Sequence, residues 1–387
     1  MTARPAGRGL REKLSNPKAD RIKQVAALAG RSASEGGAGG GAGAGGVGAG
    51  GGASATAGRT SATGGRTSAT AARAARERSG LFLVEGPQAV RELVAHRAEL
   101  VRDIYVNDAA LVAHAGIVDA ALEAELFVHP VTDEVSAAIS RDSQGIAAVA
   151  RMWEAGTFSS EGTPGTSDGS APSGSTHVTD GPAPSGSLTP SDGPTPSGSL
   201  VPAGARLVAI FSAVRDPGNA GTVIRVADAA GADLVVLAGE SVDIFNPKVV
   251  RATAGSLFHV PVVRGIPVAD AVDSARLAGL QVLAADGGGE FELGGGLGAG
   301  EALSGGVAAP RAATSGPVNS GPVTPGASLD FATPTAWLFG NEAHGLSAEE
   351  IALADHSVRI PIFGKAESLN LAAAAAVSLY ASALAQK

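Results

Sequence analysis

Three glycine-bearing turns, each following a short apolar run, constrain this chain more than any other feature. The first is Asp216-Pro-Gly-Asn-Ala-Gly-Thr-Val-Ile-Arg225, which follows the apolar run Leu207–Ser212. The second is Trp337-Leu-Phe-Gly-Asn-Glu-Ala-His-Gly-Leu346, and the third is Ile360-Pro-Ile-Phe-Gly-Lys-Ala-Glu-Ser-Leu-Asn370. Glycine lets backbone N–H and C=O groups approach a ligand without a clashing Cβ, and each turn also offers a carboxylate, amide or hydroxyl. A run that is apolar throughout suits a parallel strand covered on both faces. Further strand-like segments at Asp233–Leu237, Phe258–Val263, Gln281–Ala285, Ala336–Phe339 and Ser357–Ile360 are mostly separated by helical patterns. Val223, Val226, Ala227 and Ala230 keep helical spacing, Pro247 suits a first helical turn, and an Ala-rich helix runs from about Ser368 to Ala385. The alternation predicts a doubly wound α/β sheet, whose ligands bind beyond the carboxyl ends of the strands, where all three turns lie.

Glycine and proline also divide the chain. Most of the 55 glycines and 22 prolines fall in three tracts, about residues 32–76, 155–204 and 287–334. The first repeats Gly58-Arg-Thr-Ser-Ala-Thr63 as Gly65-Arg-Thr-Ser-Ala-Thr70, and the second repeats Pro-Ser-Gly-Ser-Leu. Too few large apolar side chains remain in these tracts to offset the entropy of ordering them, so all three read as flexible or disordered. The expected organisation is a basic segment 1–31, a low-complexity insertion 32–76, a small α/β domain 77–154, a linker 155–204, and a larger domain 205–387 interrupted by 287–334. In the small domain, strands are expected at Phe82–Val84, Ile104–Val106 and around Gln144–Ala150, with a helix over Gln88–His96. Ser15-Asn-Pro17, with Arg21 and Lys23, precedes a first helix of that domain.

Charge and residue usage limit the function classes. Residues 1–78 carry 13 Lys/Arg against four Asp/Glu, leaving 16 against 33 for the rest. A basic arm on an acidic body suits a polyanionic partner bearing phosphates, or serves as a solubilising tail. The chain has no cysteine, which excludes disulfides, thiolate metal sites and cysteine nucleophiles. The seven histidines are scattered with no close His/carboxylate spacing, so no metal is expected, and His259 reads as ordinary packing. There is no apolar run of about 18 residues and no secretion-signal core, so a cytoplasmic protein with no membrane partner is expected.

Within the turns, Arg225 follows Asn219 by six residues on the first turns of a helix. Its guanidinium suits an RNA phosphate or a nucleophilic hydroxyl, or else a structural ion pair. Glu342 can accept from an amino group, orient Arg225, or cap a helix. Of Ser368 and Asn370, one is expected to cap the last helix and the other to touch a ligand. His344 lies in the second turn as a solvated loop histidine.

In order and wording, the three turns resemble the SpoU/TrmH family of RNA ribose 2'-O-methyltransferases, in the SPOUT superfamily. Asn246-Pro-Lys-Val-Val-Arg-Ala-Thr-Ala-Gly255 is similar to the family's connecting segment. Phe82-Leu-Val-Glu-Gly-Pro87 and Gln144-Gly-Ile-Ala-Ala-Val149 more weakly resemble the substrate-binding domain that often precedes it. The resemblance implies a SPOUT-type parallel sheet with a C-terminal deep trefoil knot, preceded by a small α/β RNA-binding domain. It further implies S-adenosylmethionine held by backbone around Gly340, Ile360 and Leu369, and a homodimer with each site completed near the subunit interface. Arg225 would act on the ribose hydroxyl or its phosphate, with Asn219, Glu342, Ser368 and Asn370 organising the pocket. Ribosomal RNA is preferred over transfer RNA by this analogy. The sequence departs from the family in Leu371-Ala372, where Val-Ser is common, and in Thr253, where serine is frequent. A non-catalytic RNA-binding protein and a nucleotide-dependent oxidoreductase are the alternatives, although the G-x-G-x-x-G spacing of the latter is missing.

Overall fold

The computed structural model describes residues 10–30, 62–153, 200–294, 307–310 and 329–387. Much of each glycine-rich tract therefore lies outside the described residues. The first half contains α1 (Asp20–Leu28), α2 (Ala62–Ser79), β1 (Leu81–Glu85), α3 (Pro87–His96), β2 (Val101–Asn107), α4 (Asp108–Ala113), α5 (Ala115–Glu123), β3 (Val128–Val131), α6 (Asp133–Ile139) and β4 (Ile146–Arg151). The second half contains β5 (Leu207–Ser212), α7 (Pro217–Ala230), β6 (Leu234–Ala238), α8 (Pro247–Ala252), β7 (Val262–Arg264), α9 (Val268–Leu277), β8 (Gln281–Ala285) and β9 (Phe291–Leu293). It continues through β10 (Val307–Pro310), β11 (Leu329–Asp330), β12 (Thr335–Phe339), α10 (Ala348–Ala352), β13 (His356–Arg359) and α11 (Leu371–Gln386).

The first sheet has the order β1-β4-β2-β3, antiparallel except for the β2–β3 pair. Side chains alternate across it. Leu83, Tyr105, Val131 and Val149 pack against α1 and α6, while Phe82, Val84, Ile104 and Ala148 join a core with α3 and α5. The basic N-terminal segment is docked where it is described: Leu10 and Leu14 bridge to β3, and Arg21 reaches Asp103, Tyr105 and His129.

The second sheet has the order β11-β10-β9-β13-β8-β12-β5-β6-β7, and every pair from β9 to β7 is parallel. Leu207, Ala209 and Phe211 face α7, α8 and α11, while Val208 and Ile210 face α9. This two-sided burial is why β5 is apolar at nearly every position. After β7 the chain crosses to β8, and β12 then inserts between β8 and β5. That insertion creates the switch point at which open α/β sheets present their ligand crevice. β13 lies on the far side of β8, yet α11 returns to lie on α7 and against β12, where the Trp337 Nε1–H donates to the Ser382 hydroxyl at 2.9 Å.

Three sequence expectations need correction. Residues 62–76, read as part of a disordered insertion, are helical, because Ala71-Ala-Arg-Ala-Ala-Arg76 is made of strong helix formers. Ala72 and Arg76, four apart, are both buried. The third tract is likewise not wholly an excursion, since Phe291 and Phe331 are buried and the tract supplies β9, β10 and β11. Finally, Phe258 belongs to a 3-10 turn over Ser256–Phe258, so β7 starts only at Val262.

Candidate functional site

A cleft of about 510 Å³ lies at the carboxyl ends of β8, β12 and β13. Asp286 and Gly287 form one wall after β8, the second turn from Gly340 to Gly345 forms another, and Ile360, Ile362 and Glu367 to Leu371 form the third. The second turn owes its shape to Asn341, whose Oδ1 accepts from the N–H groups of Ala343 at 3.0 Å and His344 at 2.8 Å. Gly345 closes it with an N–H to the Asn341 carbonyl at 3.1 Å and a left-handed φ of 68°. Gly340 lies so close beneath that a Cβ there would come 2.1 Å from Gly345 C and 2.3 Å from Leu346 N. No other residue fits that position without moving backbone.

Helix α7 enters the site by its first turn. Asp216 caps it by accepting from the Asn219 N–H at 2.8 Å, with Pro217 at the first helical position. The Asn219 side chain then donates from Nδ2 to Glu342 Oε1 at 3.1 Å and accepts at Oδ1 from Asn370 Nδ2 at 3.2 Å. Asn370 spends its own oxygen on capping α11, accepting from the Ala372 N–H at 2.8 Å. One hydrogen-bonded series, Glu342–Asn219–Asn370, thus joins all three turns.

The alternatives left by the sequence resolve as follows. Asn370 is the cap, and Ser368 lies in the exposed loop that lines the cleft. The last helix therefore starts at Leu371, three residues later than its composition suggested. Glu342 caps no helix; that role belongs to Ser347, which forms a capping box with Glu350 at the start of α10. Gly340, Ile360 and Leu369 all line the cleft, as does His344.

Arg225 is not brought in. It is exposed, has no ion pair or hydrogen bond among the described residues, and does not line the cleft. Six residues along a helix carry it about 9 Å from Asn219 and about 120° around the axis. Its side chain faces solvent on α7.

Sequence reasoning missed Asp286, Asn341 and the Ser212–Glu350 contact. Asp286 directly follows β8, so the carboxyl-end rule alone was enough to nominate it. Nothing in the sequence signals Ser212, whose hydroxyl at the end of β5 donates to the Glu350 carboxylate. Burial pushes the Glu350 carboxyl up, but the hydrogen bonds from Ser212 and from the N–H and hydroxyl of Ser347 outweigh it and hold the group below the usual glutamate range. The carboxylate so fixed ties the start of α10 to the end of β5.

The chain is similar to known proteins over its second half. Residues 206–293 and 308–380 match the SpoU rRNA Methylase family. A 23S rRNA (guanosine(2553)-2'-O)-methyltransferase of Bacillus subtilis is 36% identical over 179 residues, 46% of this chain and 58% of that protein. A 23S rRNA (uridine(2479)-2'-O)-methyltransferase of Streptomyces viridochromogenes is 34% identical over 180 residues, 45% of this chain and 51% of that one. The chain spans about half the length of the curated relatives it matches. An AdoMet-bound rRNA methyltransferase from Sinorhizobium meliloti superposes with a TM-score of 0.56 at 20% identity, over 96% of this chain and 97% of that one, a likeness of fold.

Proposed function

We propose that this chain, whose residues 206–293 and 308–380 match the SpoU rRNA Methylase family, transfers a methyl group from S-adenosylmethionine to a ribose 2'-hydroxyl of ribosomal RNA. The observation that carries the proposal is the Glu342–Asn219–Asn370 series, which links the three turns beside one cleft.

The residues present fit the cofactor. The cleft has the volume of a small-molecule site. Phe339, Ile360, Ile362 and Leu369 offer apolar surface for an adenosyl group, while Asp286, Glu342 and Glu367 suit its cationic amine and sulfonium. Bound there, S-adenosylmethionine supplies an electrophilic methyl group on a good leaving group. The chain's contribution is to hold and orient. Backbone around Gly340, Ile360 and Leu369 binds the cofactor, while Glu342, Asn219, Ser368 and Asn370 fix the approach of the ribose. Positioning of this kind supplies much of the acceleration of a two-substrate transfer.

Arg225 is assigned to the RNA, at the phosphate beside the reacting ribose. Its guanidinium is protonated in protein settings, which favours a positioning role over proton removal. Because Arg225 faces away from its own cleft, the site is completed in a homodimer. Val377, Tyr380 and Leu384 form an exposed stripe on α11 that supports such an interface. The return of α11 past β13 supports the deep trefoil knot of the superfamily, an exception to the rule that chains do not thread loops. The first sheet and its helices are assigned to RNA binding, and the site is assigned no metal.

The test is methylation of ribosomal and transfer RNA from cells lacking this protein, using tritiated S-adenosylmethionine and mapping of the modified ribose. The expected result is one new 2'-O-methyl group in ribosomal RNA. Labelling of transfer RNA alone would move the substrate, and binding of NAD in place of S-adenosylmethionine would overturn the assignment.

A further inference from the structure

Outside the cleft, two histidines and a carboxylate converge where the two halves of the chain meet. Glu92 and His96 stand four residues apart on one face of α3, the spacing that sequence inspection overlooked. His259 follows the 3-10 turn of the second half. Glu92 Oε2 lies 3.5 Å from His96 Nε2 and 3.3 Å from His259 Nε2, and the three ligand atoms all lie within 4.8 Å of one another.

We propose that Glu92, His96 and His259 bind a divalent transition-metal ion of the zinc class, which clasps α3 to the second half. Zinc bonds of about 2.0–2.1 Å in a tetrahedron place neighbouring ligand atoms about 3.3–3.4 Å apart, the spacing of the two Glu92 contacts. Two imidazoles and one carboxylate favour zinc-like ions over magnesium or calcium.

The fourth residue is the strongest sign of a built site. His259 Nδ1 is 2.9 Å from Asp228 Oδ2 on α7, the shorter of its two carboxylate contacts. A neutral imidazole has one N–H, and donating it to Asp228 leaves the Nε2 lone pair directed at the Glu92 carboxylate. A cation between them satisfies both, in the carboxylate–histidine–metal arrangement that orients metal-bound imidazoles. Glu92 is itself held in place. Its stem lies over Gly255, where a Cβ would fall 2.2 Å from Glu92 Cγ. The His96 side chain is 52% exposed, so water can reach the remaining coordination position.

The test uses the full chain, stripped with a chelator and titrated with Co²⁺ and then Zn²⁺. One Co²⁺ per chain is expected, with the visible absorption of a four-coordinate ion, displaced by Zn²⁺. His96→Ala and His259→Ala each weaken Co²⁺ binding by more than about 100-fold, and Asp228→Asn weakens it by about 10- to 100-fold. His114→Ala, at a half-buried histidine between α4 and α5 that is not part of the cluster, leaves binding unchanged. Zn²⁺ raises the thermal midpoint of the wild-type chain and of His114→Ala but not of His96→Ala. His96 is exposed, so circular dichroism of that variant should match wild type and separate lost ligation from lost fold. Absence of stoichiometric Co²⁺ binding, or equal binding by a folded His96→Ala chain, would overturn the proposal. Both readouts are independent of methylation.

Discussion

Replacing Gly340 by alanine tests whether the second turn is a fixed wall of the cofactor site. The new Cβ would sit 2.1 Å from Gly345 C and 2.3 Å from Leu346 N, both backbone atoms, where ordinary contact begins at 3.4 Å. The turn must therefore move by more than about 1 Å, which at a crowded site costs about 1–3 kcal/mol. Displacements of that size in a positioned site cost about 100-fold in rate. Gly345→Ala is the paired control. That position has no atom within 4 Å of a built Cβ, but its φ is +68°, so the cost is about 1–2 kcal/mol of backbone strain without displacement of the wall. Urea denaturation of both variants, with calorimetric titration of S-adenosylmethionine, separates the two effects. The expected outcome is similar destabilisation of both, with cofactor affinity and methyl transfer lost chiefly in Gly340→Ala. Equal binding losses in the two variants would refute the steric argument and assign the effect to loop strain.

Three further perturbations address other links. Arg225→Ala should keep cofactor affinity while lowering methyl transfer by about 100-fold or more, and normal turnover in single-round assays would remove Arg225 from the mechanism. Arg76→Ala strands Asp243, which pairs with it at 2.8 Å with side chains only 3% and 9% exposed; a loss of about 3–5 kcal/mol in urea unfolding is expected, and a loss under 1 would show that water reaches the pair. Burial pushes the Asp103 carboxyl up, but the His129 hydrogen bond and the charges of Arg21, His129 and Arg102 more than offset this and hold it below the usual range. A depressed folded value means that Asp103 stabilises the fold above its unfolded pKa of about 3.9, and that this contribution disappears as pH falls through the lower folded value. Asp103→Asn should therefore flatten the acid side of the stability curve, as read by thermal unfolding between pH 3 and 7; an unchanged slope there would count against the assignment.

Much of this architecture was legible because its strands are buried on both faces and so carry an unbroken apolar signal. The sequence limits of β5 and β8 match the structure to the residue, since Leu207–Phe211 and Val282–Ala285 are apolar throughout and a polar residue, Ser212 or Gln281, marks one end of each. Reading failed where a long-range contact outweighs local composition. Ala62–Ser79 looks like a flexible repeat until Arg76 finds Asp243 and the Leu28 carbonyl across the junction. Phe258 looks like a strand residue until positive-φ Gly255 bends the chain into a 3-10 turn. In the site, residue types and order were readable, because glycine and asparagine report local turn geometry. The partners were not: Asn219 and Glu342 are 123 positions apart, and no local rule joins them. In the Glu92–His96–His259 cluster the i, i+4 pair on α3 was legible, and only its meeting with His259 in the other half was not.

Helix α7 holds Arg225 apart from the cleft of its own copy. Its first turn is tied to Glu342 and Asn370 through Asn219, its body is buried along Ala220, Val223, Ile224 and Ala227, and its far end holds His259 through Asp228. A helix fixed at both ends and along one face has no freedom to rotate Arg225 by the 120° or so that would bring it beside Asn219. In the proposed role, the guanidinium would meet a phosphate on the outer surface of α7. The adjacent surface is the apolar stripe of α11, and Tyr380 already spans the two helices by donating its hydroxyl to the Ala229 carbonyl at 3.2 Å. In the proposed homodimer a second copy would cover that stripe. If the dimer is the working unit, Leu384→Lys should abolish methyl transfer in proportion to the loss of dimer seen by sedimentation, while the isolated chain still binds S-adenosylmethionine. A monomeric variant with full activity would show instead that the RNA alone bridges Arg225 to the cleft.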